Sequence, residues 1–214
     1  MHVRDSSRAA VLHALDLGAR GIIIPDVQSV EEARRLVEYA KYYPLGARGF
    51  AFSRSAKYGF LPELKQIGDY FTATNQRTIL MPQCETAGAL EHIEEIAALD
   101  GIDGIFVGPY DLSVALGAPA RFATPRFAEA LDRVIAACRA SGKLAFIYAN
   151  TRAYFAQGYQ GAPIARIRPF WSRPYRACCR RNGTLQKNAK VRPPRSGNTS
   201  IKSGVIRIGR TPRF

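Results

Sequence analysis

Short, uninterrupted apolar runs alternate with helically periodic stretches from residue 5 to residue 150, and this rhythm constrains the fold more than any other feature. Runs at 21–25, 78–84, 103–108 and 144–149 lack the polar alternation of a half-exposed strand. They suit strands covered on both faces, as in a parallel sheet. Between them, residues 5–17 carry Ala9, Leu12, Ala14, Leu15 and Leu17 on an apolar stripe, with Asp5, Ser6 or Ser7 available as a cap. A second helix over 29–42 opens on Ser29-Val30-Glu31-Glu32, a capping-box-like start. Further helices are predicted over 86–99 and 124–140, and from residue 151 onward. Repeated strand–helix order predicts an α/β fold with parallel strands. The pattern admits a doubly wound sheet as well as a barrel. No Gly-x-Gly-x-x-Gly follows any run, which counts against a dinucleotide site. A long irregular insert at 46–75, rich in Gly, Ser, Tyr and Phe, separates the first and second units, and such loops are often functional.

The 214 residues allow one good-sized domain, or a smaller one with a tail. The net charge of +14 is unevenly spread. Residues 1–160 hold 17 Lys+Arg against 17 Asp+Glu, whereas residues 161–214 hold 14 Lys+Arg and no acid. Beyond Gly161 the apolar period is lost and prolines recur at Pro163, Pro169, Pro174, Pro193, Pro194 and Pro212. That composition predicts disorder, so the expected organisation is a domain at 1–160 and a basic tail at 161–214. A nucleic-acid-binding tail is the rival reading. Its aromatic residues Phe170, Trp171 and Tyr175 are few and confined to one end, and no recognition motif accompanies them. Cys84, Cys138, Cys178 and Cys179 have no spacing that suggests a disulfide framework or a zinc site. Cys84 and Cys138 read as buried thiols, consistent with a reducing cytoplasm. No leader architecture and no membrane-length apolar run is present, so a cytoplasmic protein without a membrane partner is expected.

Two carboxylates close apolar runs: Glu85 after 78–84, and Asp111 after 103–108. Acids at the carboxyl ends of parallel strands can converge on one divalent metal. Hard oxygen donors favour Mg²⁺ or Mn²⁺, and two protein ligands leave coordination positions open for a chelating 2-keto acid. Both acids would equally serve as helix caps. Gly108-Pro109 just before Asp111 counts against that, because glycine lets backbone amides approach a ligand. Gln83 shares a strand face with Glu85 and would bond substrate or water, or simply be a solvated amide. Arg48 lies between Gly46 and Gly49, and an arginine beside a keto acid would stabilise an enolate oxygen; a surface role fits it too. Ser53, Arg54, Lys57, Tyr58 and Gly59 fall in the same insert and would shape its rim. His2, at the chain end, and His13 and His92, mid-helix, read as surface residues.

Arg48-Gly49, Gln83-Cys84-Glu85-Thr86 and the run Gly101–Ser113 (GIDGIFVGPYDLS) together resemble the HpcH/HpaI aldolase family, over Val3 to Gln160. Members include 2-keto-3-deoxy-sugar-acid aldolases and macrophomate-synthase-like enzymes. The resemblance implies a (β/α)8 barrel and a class II lyase that cleaves a 4-hydroxy-2-keto acid to pyruvate and an aldehyde. It implies Glu85 and Asp111 as metal ligands, Arg48 as the catalytic arginine at the keto oxygen, and Gln83 on the substrate side. Gly108, Pro109 and Tyr110 belong to the implied substrate-binding segment that holds the pyruvate carboxylate. Magnesium or manganese, alternatively cobalt or zinc, would be the metal, and a homo-oligomer the assembly.

The chain also departs from the family pattern. The first two strand–helix units and their histidine base have no counterpart here, and His2-Val3-Arg4 resembles the tail of the third strand. Tyr154–Gln160 resembles the helix before the last strand, after which the basic stretch begins. The expectation is a partial (β/α)8 barrel lacking the first strands and the last, its tail translated out of the ancestral frame and its aldolase activity impaired. The alternative is a catalytically inactive barrel fragment.

Overall fold

The computed structural model describes residues 1–148, 154 and 157–159. The tail at 161–214, its boundary after residue 160 and most of the helix expected from 151 lie outside the described residues. Four strands, β1 (Gly21–Ile24), β2 (Ile79–Cys84), β3 (Gly104–Val107) and β4 (Leu144–Ile147), form one sheet in the order β1-β2-β3-β4, all neighbours parallel. The residues before α1 extend it. His2 makes a parallel bridge to Ile23, Val3 N–H donates to Ile23 O at 3.0 Å, and Ile23 N–H donates to Met1 O at 2.8 Å.

The helices start where short polar side chains replace a missing backbone acceptor. Ser7 caps α1 (Arg8–Asp16) by accepting from Ala10 N–H, and Ser29 caps α2 (Val30–Ala40) by accepting from Glu32 N–H. Glu32 reaches back to Gln28 N–H at 2.9 Å, completing the reciprocal cap. Thr124 caps α7 (Pro125–Ala140) in the same way. Three elements differ from expectation. The insert contains α3 (Ile67–Arg77), hidden in sequence because only Tyr70 and Asn75 of its residues are buried. The helix expected over 86–99 is broken at His92 into α4 (Ala87–Glu91) and α5 (Ile93–Ala98). Ala89, Ile93, Ile96 and Ala97 keep helical spacing through the break, so periodicity gave no sign of it. The third is α6 (Pro109–Ala115), which begins directly after β3.

Sequential strand order decides between barrel-type winding and a doubly wound sheet. Right-handed crossovers that always advance in one direction leave every helix on the same face. The core shows this one-sidedness: Ile22, Ile24, Leu80, Cys84, Ile105, Val107, Ala145 and Ile147 pack with the helices. The alternate residues Ile23, Met81, Gln83, Phe106 and Phe146 are outside that cluster. They line the opposite, concave face, the equivalent of a barrel interior. Cys84 and Cys138 are buried free thiols as expected, and burial pushes them up to about 12 and about 11. Among the described residues no helix is long and apolar enough to cross a membrane.

At the amino-terminal ends of the strands the fold is pegged by Lys41, 1% exposed. Its ammonium donates to Thr78 O (2.6 Å), Asp103 Oδ2 (2.8 Å) and Asn75 O (3.1 Å). Asp103 Oδ2 also accepts from Leu80 N–H at 2.8 Å, so one cation ties the starts of β2 and β3 to the end of α2. Removing this buried ammonium leaves two backbone carbonyls without their side-chain donor and Asp103 without its counter-charge. Lys41→Met, which keeps the volume, is expected to cost about 3 kcal/mol. Urea denaturation checks it: the midpoint should fall with the slope unchanged.

Candidate active site

The carboxyl ends of the strands and the bridge at His2 surround a cavity of about 400 Å³ on the concave face. Ile23, Phe106, Pro109 and Tyr148 give it apolar walls, and Tyr110 stands at its edge, 59% exposed. His2, Gln83 and Asp111 supply the polar side chains, with the backbone of Gly108 beside them. Gln83 pairs in register with Phe106 on β3, which pairs with Phe146 on β4. The inward-facing positions of neighbouring strands thus form one layer.

Glu85 stands just behind this wall, 9% exposed. Its Oε1 accepts from the backbone N–H of Asp26 at 2.8 Å, and its Oε2 accepts from the Gln83 amide nitrogen. Asp26 holds a left-handed backbone, φ 55°, at the end of β1, and there its N–H meets the carboxylate. Burial raises the Glu85 pKa; the Asp26 N–H opposes this, and the charge of Asp111 adds to it. Asp111 is in the first turn of α6 rather than at a strand end, and it borders the cavity.

Gly108 is what lets these groups meet. A Cβ there would sit 2.5 Å from both Gln83 Nε2 and Glu85 Oε2, inside their van der Waals radii. Gly88 plays the same part below, where α4 lies against the carbonyl of Gln28, and Thr86 Oγ1 donates to Val27 O at 2.6 Å. The donor set fits a hard divalent cation: two carboxylates of adjacent strand–helix units, one of them fixed through both oxygens, and a glycine cradle beside them.

Arg48 is a correction. It does not line the cavity; its Nη2 bonds Asp16 Oδ1 at 2.9 Å, and its guanidinium lies 4.6 Å from the Tyr42 ring centroid. Asp16 ends α1, ahead of β1, and the Tyr42 backbone is clamped by Asn75 near the end of α3, ahead of β2. Those contacts hold Arg48 at the amino-terminal end of the sheet, opposite the cavity. His2 is exposed, as its surface reading expected, but its imidazole borders the cavity and bonds Gln83. Strand alternation from the buried Val3 would have pointed His2 inward. Tyr148, Ile23 and Phe106 were missed as lining residues because apolar runs do not reveal which alternate faces the site.

Residues 3–165 match the HpcH/HpaI aldolase/citrate lyase family. The chain belongs to that family. A 2-keto-3-deoxy-L-rhamnonate aldolase of Salmonella newport (strain SL254) is 37% identical over 143 residues, covering 66% of this chain and 51% of the relative. The chain therefore spans about half the length of the curated relatives it matches. Among solved structures, an HpcH/HpaI aldolase from Desulfitobacterium hafniense DCB-2 superposes with TM-score 0.68 at 31% identity, covering 75% of this chain and 62% of that one. Macrophomate synthase superposes with TM-score 0.64 at 28% identity, covering 75% and 57%. The parallel one-sided sheet is thus the fold of this aldolase family.

Two substitutions check the geometry. Gly108→Ala should weaken Mn²⁺ binding at least tenfold, on the order of a lost supporting contact at a metal site, with the circular dichroism spectrum unchanged. Arg48→Ala should lower stability by about 1–2 kcal/mol and leave Mn²⁺ affinity unaltered. A loss of metal binding on Arg48→Ala would contradict its place at the far end of the sheet.

Proposed function

We propose that this chain carries the metal-binding side of a pyruvate-releasing aldolase site, acting on a 4-hydroxy-2-keto acid of the 2-keto-3-deoxy-sugar-acid type. The observation that carries this reading is the buried Glu85 carboxylate, held on both oxygens beside Gly108, next to a small concave cavity that Asp111 borders. A divalent cation held there, Mg²⁺ or Mn²⁺ by donor hardness, would polarise the keto oxygen of a chelating acid and favour carbon–carbon cleavage toward the enolate.

The chain's own residues would prepare that step. Asp26 N–H and the Gln83 amide hold Glu85 in one orientation, so no reorganisation is needed when a cation enters. Asp111 offers its carboxylate from the rim. The segment Gly108–Tyr110 presents backbone where the keto acid's carboxylate would lie. Phe106, Pro109 and Tyr148 exclude water on the apolar side, where the departing aldehyde would sit. Arg48 takes no part in this reading. Association into a homo-oligomer, as the family resemblance implies, would complete the proposed assembly.

Pyruvate release coupled to NADH oxidation by lactate dehydrogenase tests the proposal on 2-keto-3-deoxy-L-rhamnonate and simpler 4-hydroxy-2-keto acids. Chelator should abolish the activity and Mn²⁺ should restore it. Glu85→Gln or Asp111→Asn should each lower kcat/KM at least 100-fold, about 3 kcal/mol of transition-state stabilisation. Pyruvate release indifferent to both substitutions would refute the site. Mn²⁺ bound without any turnover would favour the inactive-barrel reading.

A further inference from the structure

We infer that His2 is a positioning residue, orienting the metal-ligating carboxylate of Glu85 through the side-chain amide of Gln83. The inference rests on the metal reading proposed above. His2 Nε2 lies 3.0 Å from Gln83 Oε1. An amide oxygen can only accept, so the imidazole must donate, and the proton is on Nε2. Gln83 Nε2 in turn donates to Glu85 Oε2. The three side chains form a directed chain: imidazole N–H to amide oxygen, amide N–H to carboxylate.

The direction matters because a carboxamide can turn over and exchange its oxygen for its nitrogen. Turned over, Gln83 would set a carbonyl lone pair against Glu85 Oε2. It would also set its NH₂ group against the proton of His2. With the imidazole donating, one orientation satisfies both ends. Glu85 Oε1 is already fixed by Asp26 N–H at 2.8 Å, so the amide is the remaining control on the carboxylate plane. Gly108 lies close against both groups, where a Cβ would come within 2.5 Å of Gln83 Nε2 and Glu85 Oε2.

His2 is itself held for this task. The bridge to Ile23 and the two backbone hydrogen bonds around it tie the residue to β1, and the side chain of Val3 is buried at 4%. The imidazole is exposed at the cavity and fills no core volume, so packing does not account for its contact with Gln83.

The test uses the full chain and Mn²⁺ as the probe, in isothermal titration of the wild type and of His2→Phe, His2→Gln and Glu85→Gln. Phenylalanine keeps the ring volume without the donor; glutamine places an N–H at about the reach of Nε2 without charge. Expected are a roughly tenfold weaker Mn²⁺ dissociation constant for His2→Phe and near-wild-type binding for His2→Gln. Wild-type affinity in His2→Phe, or His2→Gln as weak as His2→Phe, would overturn the role of His2 alone. Mn²⁺ binding indifferent to Glu85→Gln would instead overturn the metal reading, and this role with it. ¹⁵N-histidine NMR of the metal-free wild type gives an independent readout that does not require either variant to fold. At pH above the imidazole range the Nε2–H tautomer of His2 is expected, and the Nδ1–H tautomer would overturn the inference.

Discussion

The structure depends on a division of labour between alternate residues of parallel strands. In β1 to β4 one set of side chains packs under the helices and the other set faces a concave surface. The period of two makes this separation automatic once the register is set. A shift by one residue would bury Gln83 under α4 and turn Cys84 into the cavity. The core and the site are therefore specified by the same register, and neither can be altered alone.

The two ends of the sheet do different work. At the amino-terminal end, Lys41 with Asp103, and Arg48 with Asp16 and Tyr42, are ionic and aromatic contacts that join helices to strand starts. At the carboxyl-terminal end, Gln83 and Asp111 border a cavity, and Glu85 behind it is bonded to the Gln83 amide and the Asp26 N–H. In α/β barrels it is this carboxyl-terminal end, where strands run into loops, that holds the sites. Membership of the HpcH/HpaI family accords with it.

Much of this was legible in the chain. The apolar runs placed Gln83 and Asp111 near the carboxyl ends of strands, where both border the cavity, because strand alternation is local and exact in period. Ser29 marked its helix because caps act within one turn. Arg48 misled because flanking glycines describe local backbone freedom, which says nothing about which end of the sheet the residue reaches. His2 was set aside because a position near a terminus carries no periodic context. α3 was invisible because it buries too few residues to show a period, and the break at His92 because it leaves the spacing of buried residues unchanged.

Sequence alone determined the parallel α/β class and the family, since each rests on local periodicity and on short motifs. Tertiary structure alone decided that every described crossover winds the same way, that Arg48 belongs to the far end, and that His2, Gln83 and Glu85 form one hydrogen-bonded chain. Those facts join residues 81 positions apart for His2 and Gln83, and 59 apart for Asp26 and Glu85. Their contact exists only because neighbouring strands lie side by side, within hydrogen-bonding distance, after the intervening helices have folded away.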